Sequence, residues 1–338
     1  LANPAVRSLI VDIAASPTTI EAARDGLVGG PYDIEDLVRI GLLSVEDGRA
    51  RLAFNYLSAG DQRRIAARAA EDARDLAQRI IGQRGAIERA AEDLAATPED
   101  RRRALFFILG CMALDWEGLA FTEEHGYRIG ATVTGDGFAY TPWMKEDASG
   151  ISRRGLYWGS HNAAAGAFTF TTFGDHHSLP RRALPDLAFN KEPPFALSAL
   201  ADALVRLREG SDATQDDSMV SYLTDLEYVQ RERGQLTVAI PILSADADAA
   251  VTEIVGLVRN AIDAWHTDRY SAIAKELADL TPGRHGVPFA VVYTEVWHYV
   301  FGYTNLYLSE ARLVADPYAP DSRFPGFVPV LWHSSLRR

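Results

Sequence analysis

Polar side chains that could bind or transform a small molecule follow candidate strands in residues 158–177. Loops after strands are frequent locations for functional sites. The carboxylate and imidazole groups here could hold a divalent metal, or supply a general base with an orienting carboxylate. The same imidazoles could instead satisfy buried backbone groups or contact a ligand, and no spaced motif such as HExxH selects between these interpretations. The candidate ligand-binding residues are Trp158, His161, Asn162, Asp175, His176 and His177.

A second candidate group occupies residues 293–305. Glu295 and His298 would share one face of a helix at a spacing of three residues. A Glu-x-x-His pair is half of the di-iron signature, which needs two facing copies in a four-helix bundle. The alternative is an aromatic core stripe with a hydrogen-bonded histidine, although such a density of aromatic rings with polar tips is typical of pocket walls. The candidates are Glu295, Trp297, His298, Tyr303 and Asn305.

The two groups together predict one shared pocket. Each polar group that is buried without a partner would cost about 1–3 kcal/mol, so clustering around a wet or ligand-filled cavity is favoured. We expect residues 287–293 to form a buried strand in the same sheet as a strand at residues 167–173. Loops leaving both strands would then meet at one end of the sheet. The distance from His176 or His177 to Glu295 and His298 tests this hypothesis.

Familiar catalytic templates are missing from the sequence, and it indicates no particular cofactor. It has no GxGxxG after a strand, no P-loop and no GxSxG elbow. The single cysteine, Cys111, excludes a disulfide within these residues and lies in an apolar run, where a buried thiol is expected.

Length and composition are those of a globular protein. The 338 residues are 47% hydrophobic, enough for two or three domains with real cores. The longest apolar runs are shorter than the roughly 20 residues of a membrane span, and no signal peptide is recognisable, so we expect a cytoplasmic protein without membrane contacts. The formal net charge of −12 opposes nucleic-acid binding unless basic residues gather on one face.

The first sixty residues predict three helices followed by a β-hairpin. Apolar spacing favours a helix over residues 4–15, a short one over 20–27 and a third over 32–40 with Pro31 at its first position. A turn at residues 46–49 joins two strands, of which the returning one spans residues 51–57.

This order resembles the winged helix-turn-helix module of ArsR- and MarR-type regulators. The similarity covers residues 4–57 and lies in the run 37–43, the turn residues Asp47, Gly48 and Arg49, and Leu52. The resemblance implies that the third helix enters the major groove and that the wing contacts phosphates. Residues 1–60 nevertheless contain five basic and eight acidic side chains, so a dimerisation or partner-binding role is the alternative to DNA binding. The candidate DNA contacts are Arg39, Arg49 and Arg51.

A charged helical segment follows at residues 59–125. Ile65, Leu76, Ile80 and Ile87 recur at spacings of a narrow apolar seam, which predicts a homodimer joined along this helix. Gly82 and Gly85 allow the segment to be two helices rather than one.

Strands and helices are mixed without a βαβ rhythm in residues 126–338, which predicts an α+β fold. The predicted domains are a winged helix at residues 1–58, a helical dimerisation segment at 59–125 and a larger α+β domain at 126–338. We expect a ligand-responsive transcriptional regulator whose last domain binds a small molecule. The alternative is an enzyme with a His-rich pocket, with or without a metal, that retains the winged helix for dimerisation or partner binding.

Overall fold

Helices and strands follow one another irregularly, and the protein is α+β, as the sequence predicts. The computed structural model describes residues 3–95, 97–130, 132–133, 139–140, 142–148, 158–175, 187, 193–210, 217–232, 234–320 and 322–336. The helices are Pro4–Ala15 (α1), Ile20–Asp25 (α2), Ile34–Arg39 (α3), Ala59–Ile81 (α4), Arg84–Ala90 (α5), Pro98–Leu105 (α6), Gly118–Glu124 (α7), Leu197–Arg208 (α8), Asp217–Asp225 (α9), Asp248–Glu276 (α10), Thr281–Arg284 (α11) and Phe289–Glu310 (α12). The strands are Thr18–Thr19 (β1), Leu43–Glu46 (β2), Arg49–Leu52 (β3), Asn55–Leu57 (β4), Thr132–Val133 (β5), Ala139–Tyr140 (β6), Trp143–Lys145 (β7), Trp158–Ala165 (β8), Phe168–Asp175 (β9), Val229–Glu232 (β10), Gln235–Val238 (β11), Ile242–Leu243 (β12) and Phe327–His333 (β13).

The chain divides into two compact units, each assembled from three separate segments. Unit 1 consists of Leu1–Asp72, Leu119–Ile151 and His266–Tyr299, and unit 2 consists of Ala73–Gly118, Ser152–Trp265 and Val300–Arg338. This division differs from the predicted boundaries at residues 58 and 125. Helices α4, α10 and α12 each contribute residues to both units. Boundaries between consecutive domains of the sequence cannot describe such an arrangement.

Unit 1 begins with three short helices packed on a small sheet. The sheet is antiparallel with the order β1-β3-β2, and β2 and β3 form a hairpin in which Val45 faces Ala50. Asp47 and Gly48 at its turn both have positive φ, 50° and 72°, as a two-residue type I′ turn requires. The helices bury one apolar face, including Ile10, Ile13 and Leu37, against the sheet.

Side-chain caps fix where these helices begin. Asn3 accepts a hydrogen bond from the Val6 N–H at the start of α1, and Thr19 caps α2 in the same way. The prediction that Pro31 opens the third helix is wrong. Asp33 forms a capping box with Asp36, and this reciprocal pair starts α3 two residues later.

The remainder of unit 1 combines a short parallel strand pair with an aromatic core. Strands β4 and β7 pair in parallel, with Leu57 opposite Lys145. The buried His266 donates to or accepts from the Tyr293 hydroxyl at 2.9 Å, and its ring lies 4.9 Å from that of Tyr127 and 5.0 Å from that of Trp297.

Unit 2 is organised around a four-stranded sheet with the order β12-β13-β9-β8. Strand β13 pairs antiparallel with β9 along its whole length, with Phe327 opposite Gly174 and His333 opposite Phe168, whereas β12 pairs with β13 in parallel. Six of the seven residues of β13 are buried, so this strand is central to the unit.

A continuous helix, Pro98–Glu124, contains a π-helical stretch over Phe106–Glu117. Every residue from Phe106 to Asp115 is buried, and in unit 2 the ring of Phe107 lies 6.0 Å from that of Trp332. This is the one helix among the described residues that is long and apolar enough to cross a membrane. Most of it is buried inside the protein, which is equally typical of a core helix.

The predicted strand at residues 287–293 is wrong, because all but its first two residues belong to helix α12. A short run of β-branched and apolar residues has the same pattern in a buried strand and in a buried helix, and only the surroundings decide. The strand that pairs with β9, at residues 168–175, is β13.

Three further boundaries follow from the structure. Strands β11 and β12 are separate, since Pro241 between them has no N–H to donate to a ladder. Residues 248–276 form one helix, α10. The segment around Gly82 and Gly85, for which the sequence leaves one helix or two open, is divided into α4 and α5.

The predicted dimer seam is not available for a partner. Ile65, Leu76, Ile80 and Ile87 are each at most 1% exposed within the single chain. Their regular spacing reflects a helix face buried in the protein's own core, and the sequence pattern is the same for both uses. A homodimer, if formed, must use another surface.

Candidate functional site

A cavity of about 480 Å³ opens in unit 2 between three chain segments. They are the beginning of α6, the turn after α12, and residues 315–319 with 322–324 before β13. The volume falls within the range of about 300–1,000 Å³ that is typical of small-molecule sites. Phe324, Phe327 and Pro329 supply part of an apolar wall.

Among the described residues that line this cavity, four are arginines and two are acidic. The arginines are Arg102, Arg103, Arg312 and Arg323, and the acidic residues are Glu99 and Asp316. This described part of the lining has an excess of positive charge in a chain whose formal net charge is −12. Such a local reversal of sign attracts anions. We refer to this site as the arginine cavity.

Two of its arginines are placed by the first turns of α6. Thr97 caps this helix by accepting from the Asp100 N–H, and Pro98 occupies the first helical position. Arg102 and Arg103 follow Glu99 by three and four residues, and their guanidinium groups lie 2.5 and 3.7 Å from its carboxylate. A guanidinium has five N–H donors, so each of these arginines keeps further donors for a ligand.

Arg312 is held in an uncommon backbone conformation at the rim of the cavity. The N–H of Leu313 donates to Leu308 O and that of Arg312 to Ser309 O, which is the Schellman ending of a helix. Arg312 occupies the left-handed position of this motif, with φ of 57°, where glycine is usual. Its side chain is exposed, and no carboxylate of the described residues pairs with it.

The buried residue Asp175 makes hydrogen bonds to the loop that carries Arg323. Asp175, fully buried, accepts a hydrogen bond from the Tyr318 hydroxyl at 3.0 Å, and its N–H donates to Gly326 O at 2.7 Å. Arg323, in the same loop, hydrogen-bonds through its guanidinium to the Gln230 side chain. Asp175, a predicted ligand-binding residue, thus supports the cavity without lining it.

Three other predicted residues of the first group lie on β8. Trp158 begins this strand, and His161 and Asn162 follow within it. The side-chain oxygen of Asn162 accepts from the Thr171 hydroxyl at 2.5 Å, a contact between neighbouring strands. His176 and His177 lie outside the described residues, so the predicted distance test, and with it the single shared pocket, stays a prediction.

The second group lies on α12, and it is divided between the two units. Glu295, Trp297 and His298 belong to unit 1, and Tyr303 and Asn305 belong to unit 2. Trp297 is fully buried, and the Nδ1 atom of His298 lies 2.7 Å from Thr294 O, one turn earlier in the same helix. Both observations fit the core interpretation of this stretch.

Glu295 takes part in an ion pair that is largely removed from solvent. It pairs with Lys145 on β7, and the two side chains are 11% and 13% exposed. The Lys145 ammonium also lies 4.7 Å from the ring centre of Trp143 and 5.6 Å from that of Tyr299. The carboxylate and the two aromatic rings compensate the Lys145 ammonium for the solvent that it loses.

His285 joins the N-terminal helices and hairpin of unit 1 to α11. Its Nδ1 accepts from the Leu52 N–H at 3.3 Å, and its Nε2 lies 3.4 Å from Ala14 O, to which it can donate. Both contacts together require the neutral ring with its proton on Nε2. Burial lowers the pKa of His285, and the nearby Arg284 and Arg51 lower it further, while the bond to Ala14 opposes them.

We expect His285 to make the protein less stable in mild acid. Because the pKa is lowered in the folded state, the unfolded chain takes up the proton first, and stability falls as pH decreases below about 6.5. Urea unfolding at pH 7.5 and 5.5 measures this. His285→Asn, which can still accept from Leu52, should lose less stability over the same interval. Equal losses in both proteins would contradict the assignment.

The three predicted DNA contacts differ in how far they are neutralised. Arg39 pairs with Asp36 at 3.0 Å, and Arg51 pairs with Glu46 at 3.5 Å. Arg49 is exposed and donates only to the backbone oxygen of Pro17 among the described residues. Of the predicted contacts, Arg49 is therefore the one with a charge available to phosphate.

No protein-family model matches this chain, and neither a curated protein nor a solved structure matches it.

The arginines of the cavity were missed by the sequence reasoning, although one signal was present. Three consecutive arginines, residues 101–103, follow a helix cap in an acidic chain, and two of them line the cavity. Arg312 and Arg323 had no such signal, since their role depends on the turn and the loop that bring them to the same place as α6.

Proposed function

We propose that this protein is a ligand-responsive regulator of the winged-helix type. The proposal is carried by the order of elements in residues 3–57: helix, strand, two helices, then a hairpin, with β1 added to the edge of the hairpin. That is the order of a winged helix, in which α3 would be the recognition helix and the β2–β3 turn the wing. The sequence resemblance to ArsR- and MarR-type regulators points the same way.

The arginine cavity is the site that we propose for the effector. A ligand that binds one conformation of the protein better than another shifts the population towards it, and the DNA-binding surface changes with that population. We propose a cytoplasmic homodimer, because regulators of this kind commonly bind two DNA half-sites with two copies of the DNA-binding module.

DNA binding by this module is expected to depend on Arg49 and to be sensitive to salt. The acidic residues of α3 and the ion pairs of Arg39 and Arg51 leave few positive charges for phosphate. Selection of binding sequences from a random duplex library in 50 mM salt, followed by fluorescence anisotropy, measures the affinity. Arg49→Ala should weaken binding about 5- to 10-fold and reduce the salt slope by about one.

Arg89→Ala is the matched control, because Arg89 is an exposed arginine of α5, outside this module. It should leave both the affinity and the salt slope unchanged. A selected duplex that binds equally well after Arg49→Ala would overturn the assignment of the wing, and failure to select any duplex would overturn the DNA-binding proposal.

A second function, the binding of a protein partner by the same module, is favoured by its apolar surface. On the segment that contains α3, Val28, Tyr32 and Val38 are 81%, 46% and 39% exposed. Exposed apolar groups beside acidic side chains suit a protein surface better than a phosphate backbone. Failure to select a duplex would therefore direct attention to this alternative.

The alternative of an enzyme with a His-rich pocket has less support in the described residues. His266 and His285 are buried in unit 1, where each makes hydrogen bonds within the protein. The ring of His125 stacks on that of Phe121, with 4.0 Å between the ring centres. Within the part of the chain that the structure describes, no three histidine, cysteine or carboxylate side chains are grouped as metal ligands.

A further inference from the structure

We propose that the arginine cavity binds a small organic molecule carrying two or more carboxylate or phosphate groups. The inference rests on the proposed function, because it names the chemical class of the effector. It also makes a claim that can be tested without DNA.

The charges of the cavity come from different parts of the chain. Arg102 and Arg103 are adjacent on α6, whereas Arg312 belongs to the turn after α12 and Arg323 to the loop before β13. Guanidinium groups on three separate segments can surround a ligand, and each offers the planar pair of donors that matches a carboxylate or phosphate. A ligand with two anionic groups can engage more than one of these segments at the same time.

The existing ion pairs leave the cavity with unused positive charge. Arg102 and Arg103 share Glu99, and Arg103 also lies 3.4 Å from the Asp100 carboxylate. One oxygen of Asp316 accepts from the Tyr318 N–H at 2.9 Å. Arg323 contacts the neutral side chain of Gln230. An anionic ligand would thus meet cations that the surrounding carboxylates neutralise only in part.

Arg312 provides a second, independent observation. Its left-handed backbone favours glycine, and an arginine there is strained. Glu227 adopts the same conformation after α9, but of the two only Arg312 lines the cavity, and residues in such conformations cluster at functional sites. The Arg312 side chain forms no ion pair with a carboxylate of the described residues, so its charge stabilises no contact among them.

Isothermal titration calorimetry with the full chain tests the proposal. The probes are citrate, succinate, pyrophosphate and inorganic phosphate, with acetate and succinamide as a monoanion and a neutral analogue. We expect at least one of the first three to bind in the micromolar range and more weakly at higher NaCl concentrations. Acetate and succinamide should not bind. The ratio of citrate to pyrophosphate affinity distinguishes carboxylate from phosphate ligands.

Arg312→Gly separates binding from folding, because glycine suits the backbone of this turn better than arginine does. We expect its melting temperature to equal or exceed that of the wild type, while its affinity for the bound probe falls about 10- to 100-fold. Arg312→Lys should restore part of the loss, and Arg89→Ala should lose nothing.

Several results would overturn the inference. They are no binding of any dianion at 10 mM, equal binding of succinamide and succinate, and undiminished binding by Arg312→Gly. Anion binding without any effect on DNA binding would leave the cavity assignment intact and contradict the regulator. DNA binding by a protein that takes up no anion would support the DNA-binding proposal and contradict the assignment of the cavity.

Discussion

Replacing Gly174 with alanine is expected to destabilise the protein by about 3–5 kcal/mol. Gly174 has φ of 151°, a conformation that other residues rarely adopt. A Cβ atom there would lie 2.3 Å from Gly326 O and 2.5 Å from the Cα atom of Phe327. Both are backbone atoms of the adjoining chain, so no side-chain rotation can relieve the clash. Urea unfolding followed by circular dichroism measures the loss.

Gly159 offers a matched control directly across the strand pair. It faces Gly174 in the register of β8 and β9, yet among the described residues a Cβ atom at Gly159 would meet nothing within 4 Å. Gly159→Ala should change stability by less than about 1 kcal/mol. Equal effects of the two substitutions would show that the close approach of β9 to residues 326–327 is not what requires glycine.

Replacing Glu295 with leucine is expected to cost about 3 kcal/mol, because it leaves the Lys145 ammonium enclosed without its carboxylate. The faces of Trp143 and Tyr299 compensate only in part. Replacing both partners, as Lys145→Met with Glu295→Leu, removes the charge as well and should recover most of the loss. The double-mutant cycle, measured by chemical unfolding, isolates the coupling between the two side chains.

The pair formed by Arg24 and Glu35 is the control for this cycle. Its N–O distance is 2.6 Å, but the two side chains are 57% and 64% exposed. Solvent screens such a pair, so Glu35→Leu should produce no comparable loss. A double mutant at Lys145 and Glu295 that is as unstable as Glu295→Leu alone would show that the ion pair is not the source of the effect.

Local signals predicted the first part of the fold well. The extent of α1 and the turn at Asp47 and Gly48 depend on nearby residues, and these elements are where the sequence indicates them. The prediction of a strand at residues 287–293 was wrong because it depends on non-local information. Whether a short apolar run becomes helix or strand depends on what surrounds it, and that information is not local.

The candidate site was less accessible to sequence reasoning than the fold. The aromatic residues of 293–305 are typical of pocket walls by their sequence, but Trp297 is a core residue of unit 1. The dimer seam shows the same limit, since an apolar stripe looks alike whether it meets a partner or its own chain. The arginine cavity gathers residues from three distant segments, and no spacing rule relates them.

The fully buried stretch of the long helix has a consequence for synthesis of the protein. Phe107 packs against Trp332, which the ribosome adds more than 200 residues later. At roughly 5–20 residues per second, this apolar helix waits on the order of 10–45 s for the strand that covers it. During that interval a nascent chain exposes the apolar residues Phe106–Leu114, within a helix whose length and composition would allow it to cross a membrane. Expression of the protein should therefore depend on chaperones that hold nascent chains before folding is complete.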